Sequence, residues 1–107
     1  MTKHALDRLH SAIVARKGAD PAKSYTAKLL ARGTAKIAQK VGEEAIEAAL
    51  AAATGSRTGL VNESADLLYH LMVLWADAGI APDEIWAELR HREGVSGIAK
   101  KAARTKP

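Results

Sequence analysis

One segment of the sequence, residues 58–78, is apolar around nearly its whole circumference when it is drawn as a helix. Its apolar residues include Leu60, Val61, Ala65, Leu67, Leu68, Leu71, Met72, Leu74 and Trp75. A helix of this kind lies inside its assembly rather than on a surface. The rest of the chain, or a second copy of it, must therefore cover this segment.

Within the same segment, the polar side chains Glu63, Asp66 and His70 lie at spacings of three and four residues. On a helix these spacings place all three side chains on one face. Burying an isolated ionised carboxylate costs a large free energy. These acids must therefore meet a cation, be protonated or line a cleft.

The remaining pattern predicts an all-α fold, because alanine is frequent and only three prolines occur. Apolar periodicity with glycine and proline punctuation predicts five helices, at residues 2–16, 24–32, 34–53, 58–78 and 82–92. We expect Ser24 and Thr34 to be N-caps, and Gly33 and Gly79 to end helices. Short connections favour an antiparallel helical bundle. A chain of 107 residues has a modest core, so we expect dimerisation to complete it.

Composition excludes several classes of protein. The chain has no cysteine, which excludes disulfides, thiolate metal sites and cysteine nucleophiles. Its start shows no signal-peptide pattern, and its longest strongly apolar stretch, residues 71–76, is far shorter than the roughly 20 residues that span a bilayer. We therefore expect a cytoplasmic protein without a membrane partner.

The net charge of +4 comes from the end of the chain. Lys100, Lys101, Arg104 and Lys106 lie in the last eight residues, and without them the basic and acidic residues are equal in number. We interpret residues 1–97 as a single domain and 98–107 as a solvated basic tail, so nucleic acid is not the expected partner. A helical nucleic-acid-binding module stays open as an alternative.

A second group of acids lies on the predicted third helix. Glu44 and Glu47 are one turn apart, and Glu43 is four residues from Glu47, so the three repel each other unless a cation is bound. The pattern is E-x-x-E followed by E-x-x-D. Antiparallel pairing of the third and fourth helices would bring together Glu44, Glu47, Glu63 and Asp66.

Such a set of hard oxygen ligands favours Mg²⁺ or Mn²⁺ over zinc or copper. A di-iron bundle would also use inward glutamates, but it needs Glu-x-x-His pairs on two helices, and the chain has none. The structural alternative is that the glutamates of the third helix form a solvated stripe and that Glu63 and Asp66 pair with nearby lysines.

Two lysines stand where a phosphate substrate would need them. Lys36 and Lys40 share one stripe of the third helix with Glu44 and Glu47, and Lys40 lies roughly 6 Å along the axis from Glu44. A cation held by carboxylates with lysines a turn away can bind a polyphosphate from both sides. A plain helix pair of Lys40 with Glu44 is the alternative.

Several motifs together carry a family resemblance. They are Ser24-Tyr25-Thr26, Lys40-Val-Gly-Glu-Glu-Ala-Ile-Glu47, Glu63-Ser-Ala-Asp-Leu-Leu-Tyr-His70 and Arg92-Glu-Gly-Val-Ser-Gly97. In this order and spacing the chain resembles the phosphoribosyl-ATP pyrophosphatase family of histidine biosynthesis. The broader all-α nucleoside triphosphate pyrophosphatases share the two acidic motifs alone.

The resemblance implies magnesium-dependent hydrolysis of phosphoribosyl-ATP to phosphoribosyl-AMP and pyrophosphate by a homodimer. It implies that the metal ligands are Glu44, Glu47, Glu63 and Asp66, with Glu43 in or beside their shell. It further implies a phosphate- and substrate-binding set of Lys36, Lys40, Ser24, Tyr25, Thr26 and Arg32.

Two points stay open from the residues alone. Glu43 or Glu47 is expected to take the proton of the attacking water, and spacing does not choose between them. His70 is expected to hydrogen bond to Asp66 or to the backbone. A house-cleaning pyrophosphatase for ordinary or damaged nucleoside triphosphates is a further alternative, since it would share the same metal site.

Overall fold

A computed structural model of the chain describes residues 4–93. Over this range the protein consists of five α-helices and short connections, without a strand. The helices are α1 Ala5–Ala15, α2 Tyr25–Arg32, α3 Thr34–Ala53, α4 Arg57–Ala78 and α5 Pro82–Arg92. The predicted all-α fold of five helices is confirmed. The predicted start of the first helix at residue 2 and the basic tail lie outside the described residues.

The two longest helices, α3 and α4, form an antiparallel hairpin. Only three residues separate the end of α3 from the start of α4. At the other end of the hairpin the Thr34 hydroxyl, in the first turn of α3, donates to Asp77 Oδ2 in the last turn of α4 at 2.6 Å. The two helices therefore pair along their whole length, which fixes which acids of α3 face which acids of α4.

The core lies between the C-terminal half of α4 and the shorter helices. Its fully buried side chains come from four helices and are Ile13, Leu29, Ile37, Met72 and Val73. Trp75 of α4 packs edge-to-face on Trp86 of α5, with ring centroids 6.0 Å apart. Burial of each large apolar side chain contributes on the order of 1.5–3 kcal/mol, so this cluster anchors α1, α2 and α5 on the hairpin.

One predicted helix cap is confirmed and one is wrong. The Ser24 hydroxyl accepts a hydrogen bond from the Ala27 amide at 3.1 Å and caps α2. Thr34 does not cap α3. Gly33, with φ of 90°, is both the C-cap of α2 and the N-cap of α3. This single-residue connection places Thr34 inside the first turn, where its hydroxyl is free to reach Asp77.

Part of the hairpin remains uncovered in a single chain. Five of its large apolar side chains are exposed, of which Leu60 is the least exposed. We call the other four the exposed apolar set: Ile46, Leu50, Val61 and Leu68. The prediction that α4 lies inside its assembly therefore holds only for its C-terminal half within one chain. None of the helices within residues 4–93 combines the length and the hydropathy needed to cross a membrane.

Candidate metal centre

Three carboxylates from the two helices of the hairpin meet at one point. Glu44 of α3 and Glu63 and Asp66 of α4 each offer one oxygen, and these three oxygens lie within 4.8 Å of one another. The antiparallel pairing of α3 and α4 brings them there, as the E-x-x-E and E-x-x-D spacing predicted. Three anionic oxygens this close repel each other strongly, and a cation among them would remove that repulsion.

The burial of these oxygens fits a bound divalent cation. Glu44 is only 8% exposed. Its Oε2 and the Oε2 of Glu63 are buried, and neither has a hydrogen-bond partner among the described residues. Burying a carboxylate oxygen without a partner costs free energy. Carboxylate oxygens are preferred ligands of hard cations such as magnesium. Glu44, Glu63 and Asp66 thus fit a metal site.

Glu47, the fourth acid of the predicted ligand set, lies beside Glu63 but outside the group of three. A hydrogen bond with the Glu47 carboxyl, partial burial, and the charge of Glu47 raise the pKa of Glu63 to about 7, with Glu44 adding to the effect. Glu47 itself is exposed. The structure thus places Glu47 at the solvent side of the carboxylate group.

Glu43 is engaged on both of its oxygens. Gln39 Nε2 donates to Glu43 Oε2 at 2.9 Å, and Lys40 Nζ donates to Glu43 Oε1 at 3.3 Å. These two bonds lower the pKa of the Glu43 carboxyl. Gln39 was not among the predicted site residues, although its position four residues before Glu43 on a helix could have indicated the contact.

Lys40 connects Glu43 to the carboxylate group. Its Nζ lies 3.8 Å from Glu44 Oε1, in addition to its bond with Glu43. The Glu43 hydrogen bond is the main cause that raises the pKa of Lys40, and the Tyr25 phenol and Glu44 contribute. The Lys40–Glu44 pair, which the sequence offered as the alternative to a phosphate contact, is therefore present, and it places an ammonium group at the edge of the three carboxylates.

Lys36 lies about one turn before Lys40 on the same helix. Its Nζ donates to Gln39 Oε1 at 3.5 Å. Arg32 ends α2, roughly 10 Å along the axis from Tyr25 at the start of that helix. The structure thus places Lys40 directly at the carboxylates, whereas Lys36 and Arg32 lie farther along their helices.

The Ser24-Tyr25-Thr26 segment begins α2, and its three hydroxyls have different partners. Ser24 caps the helix, and the Thr26 hydroxyl hydrogen bonds to the Tyr69 hydroxyl. Tyr25 OH lies 3.5 Å from His70 Nε2, while the Tyr25 side chain is 53% exposed. Tyr25 is therefore the member of the segment that presents a large surface to solvent.

His70 joins this segment to the carboxylates. It is buried, and its Nδ1 lies 2.7 Å from the backbone carbonyl oxygen of Asp66. The predicted hydrogen bond from His70 to the backbone is confirmed. The contact of His70 with Tyr25 was not predicted, since 45 positions separate the two residues in the sequence.

Comparison with known proteins gives a consistent family. The family described as phosphoribosyl-ATP pyrophosphohydrolase matches residues 6–93. The phosphoribosyl-ATP pyrophosphatase of Azospirillum brasilense is 65% identical over 99 residues, covering 92% of this chain and 89% of the relative. That of Rhodospirillum rubrum is 60% identical, with 94% of this chain and 86% of the relative covered.

A third relative, the phosphoribosyl-ATP pyrophosphatase of Gluconobacter oxydans, is 55% identical and covers 94% of this chain and 76% of its own length. The family match includes both helices that carry the carboxylates and the aromatic segment at the start of α2. On the extent of these matches, the chain belongs to the phosphoribosyl-ATP pyrophosphohydrolase family.

Proposed function

We propose that this chain hydrolyses phosphoribosyl-ATP to phosphoribosyl-AMP and pyrophosphate, an early step of histidine biosynthesis, in the cytoplasm and with magnesium as its cofactor. Family membership supports the substrate. The observation that carries the proposed chemistry is the meeting of three carboxylate oxygens within 4.8 Å, two of whose residues hold a buried, unpartnered oxygen.

Glu44, Glu63 and Asp66 would hold the metal, and Glu47 stands beside Glu63, outside this group. When bound, magnesium supplies charge neutralisation for the triphosphate and for the leaving pyrophosphate. The same carboxylates would hold the ion between the two paired helices. Such placement favours catalysis, because less reorganisation is needed when the charge moves.

The lysines of α3 supply the phosphate-binding charge in this proposal. Lys40, held by Glu43 and Glu44, would contact the phosphates nearest the metal centre. Lys36, with Gln39 as its partner, lies about one turn away and would reach the more distant phosphates. Lysine binds phosphate as a compact point charge, which suits both positions.

A general base is needed to take the proton as a water oxygen attacks the α-phosphorus and the bond to the β-phosphate oxygen breaks. Glu47 suits this role, because it is exposed and adjoins the carboxylate group. Glu43 suits it less, since Gln39 and Lys40 occupy both of its oxygens and lower its pKa. We assign Glu43 to holding Lys40 and assign the proton to Glu47.

A homodimer is the assembly we propose. The exposed apolar set, Ile46, Leu50, Val61 and Leu68, lies on the two helices that carry the carboxylates. Large exposed apolar side chains gathered on one hairpin are typical of an interaction surface. A second copy would cover them and would give α4 the burial that its sequence requires.

Substrate comparison tests the proposal. Pyrophosphate release should be measured with phosphoribosyl-ATP and with a panel of ordinary deoxynucleoside triphosphates, each with magnesium. We expect kcat/KM for phosphoribosyl-ATP to exceed every other value by at least about a hundredfold, since a site that binds the extra phosphoribosyl group gains from it. Equal or better turnover of the panel would support a house-cleaning pyrophosphatase instead, and no release from any nucleotide would contradict an enzymatic function.

A further inference from the structure

His70 has a hydrogen-bonding pattern that fixes the position of its proton. Its Nδ1 lies 2.7 Å from the Asp66 carbonyl oxygen, and a carbonyl oxygen can only accept. The proton of the neutral imidazole is therefore on Nδ1, and Nε2 carries a lone pair. Because the His70 side chain is buried, little freedom remains for the ring to turn away.

Tyr25 faces that lone pair. Its hydroxyl oxygen lies 3.5 Å from His70 Nε2, so the phenolic O–H is the donor and the imidazole nitrogen the acceptor. A phenol has one proton only. Once His70 takes that proton, the Tyr25 oxygen offers its lone pairs to any other partner and can act toward it only as an acceptor.

The Tyr25 ring is held at the rim of the metal centre. It stacks at 21° on Tyr69 with centroids 6.3 Å apart, and the His70 ring stands edge-on to both tyrosines. The Tyr69 hydroxyl is in turn bonded to Thr26. About half of the Tyr25 side chain remains exposed, close enough to Lys40 to help raise the pKa of that ammonium group.

An acceptor at this place distinguishes between the parts of a nucleotide. Ionised phosphate oxygens carry no proton and would be repelled by the lone pairs of the phenol oxygen. Ribose hydroxyls and the adenine amino group carry protons and can donate to it. The phosphate end of the substrate has its own partners in Lys40 and in the metal held by the carboxylates.

We propose that His70 is a positioning residue that takes the phenolic proton of Tyr25 and thereby makes Tyr25 a hydrogen-bond acceptor for the nucleoside part of the substrate. The inference rests on the proposed hydrolysis of phosphoribosyl-ATP. It adds that Tyr25, at the start of α2, serves the nucleoside rather than the phosphates.

Amide side chains can separate the two bonds of His70. His70→Asn places an amide near the δ position and can keep the bond to the Asp66 carbonyl, but it does not reach Tyr25. His70→Gln places an amide oxygen near the ε position, where it can accept from the Tyr25 hydroxyl. Tyr25→Phe removes the hydroxyl and keeps the stacked ring.

Three measurements on these variants test the proposal: KM and kcat with phosphoribosyl-ATP, and the inhibition constant of pyrophosphate. We expect Tyr25→Phe and His70→Asn each to raise KM by roughly three- to tenfold, the range for one hydrogen bond, with kcat within about twofold. The pyrophosphate inhibition constant should stay unchanged. The double variant should be no worse than either single variant, because both remove the same bond. His70→Gln should restore KM toward the wild-type value.

Other results would overturn the proposal. An unchanged KM in Tyr25→Phe would show that the Tyr25 hydroxyl does not contact the substrate. If the pyrophosphate inhibition constant of Tyr25→Phe rose together with KM, Tyr25 would contact the phosphates instead of the nucleoside. Multiplied effects in the double variant, or no recovery in His70→Gln, would show that His70 acts through packing alone.

The test remains informative if the wild-type chain does not turn over phosphoribosyl-ATP, a result that would contradict the proposed function. Calorimetric titration with AMP and, separately, with pyrophosphate then replaces kinetics. Weaker AMP binding in Tyr25→Phe with unchanged pyrophosphate binding would support the nucleoside contact, and equal AMP affinities would overturn it.

Discussion

In the candidate metal centre, the fold raises the pKa of the Glu63 carboxyl to about 7. It lies between Glu47 and Glu44, and its Oε2 is buried without a partner among residues 4–93. The folded protein therefore favours the protonated carboxyl of Glu63 when no cation is present. A bound cation would reverse this preference, so protons and magnesium compete for the same oxygens.

This competition predicts how metal-free stability depends on pH. The pKa of Glu63 is about 7 in the folded protein and 4.5 ordinarily, so the folded state binds the proton more tightly than the unfolded state. The resulting stabilisation is complete below pH of about 4.5 and is lost as pH rises to about 7. In EDTA we expect the contribution of Glu63 to lower the midpoint of thermal unfolding as pH rises over this range. We expect added magnesium to raise the midpoint most at the upper end of the range.

Glu63→Gln provides the control for that experiment, since glutamine keeps the shape of the side chain and does not titrate. Other groups also titrate between pH 4.5 and 7, so the difference between wild type and variant is the relevant quantity. In the variant, the midpoint of thermal unfolding should fall less between pH 4.5 and 7 than in wild type, and added magnesium should raise it much less. An identical pH profile in both proteins would contradict the assigned environment of Glu63.

Spacing predicted much at the residue scale. Repulsion among acids and the apolar setting of α4 singled out Glu44, Glu47, Glu63 and Asp66. The fold brings three of these acids together, and Glu47 lies outside their group. The partners of Tyr25 and Tyr69 could not be predicted in this way, because the contacts join α2 to α4 across more than 40 residues. Such contacts depend on how helices pack, which periodicity does not specify.

At the scale of elements, four helix ends were predictable because glycine, serine or proline marks them. Ser24, Gly33, Gly79 and Pro82 all have the predicted structural positions. The failure at Thr34 has a physical cause. A threonine after a glycine can be a cap or a first-turn residue, and the one-residue connection decided in favour of the latter.

Ser24 allows an element-scale prediction, because two roles were expected of it, helix cap and substrate contact. Its hydroxyl already accepts from the Ala27 amide. Ser24→Ala should therefore lower the free energy of unfolding by about 1 kcal/mol, measured by urea denaturation, and leave KM within about twofold. Ser24→Asp should keep the stability, since aspartate is also a good cap. A large rise in KM for Ser24→Ala at unchanged stability would favour the substrate contact.

At the scale of the whole molecule, one chain leaves its longest hairpin partly bare. The buried core comprises few large side chains, and the exposed apolar set lies on α3 and α4. The sequence indicated that α4 needs covering on nearly all sides. It could not indicate which part α1, α2 and α5 would leave open, because that depends on where these helices dock.

A single charge in the exposed apolar set should disrupt the dimer. Val61→Lys places an ammonium group among side chains that we expect to be buried between two copies, which is costly without a partner. Val14→Lys is the matched control, because Val14 is also an exposed valine but lies on α1. In sedimentation equilibrium we expect wild type and Val14→Lys to be dimers and Val61→Lys to be largely monomeric. A monomeric wild-type protein would contradict the dimer outright, and a Val61→Lys dimer would place the interface elsewhere.

The central claim is that the carboxylates of α3 and α4 bind magnesium and that this metal is required for pyrophosphate release. Its most direct test is the rate of pyrophosphate release from phosphoribosyl-ATP, with and without magnesium, in wild type, Asp66→Asn, Glu47→Gln and Glu43→Gln, with helical circular dichroism recorded for each. We predict no release without magnesium, a loss of at least about a hundredfold in kcat for Asp66→Asn and Glu47→Gln, and a loss below about tenfold for Glu43→Gln, all with wild-type helicity. Full activity of Asp66→Asn or Glu47→Gln, or turnover by the wild-type protein in EDTA, would contradict the account.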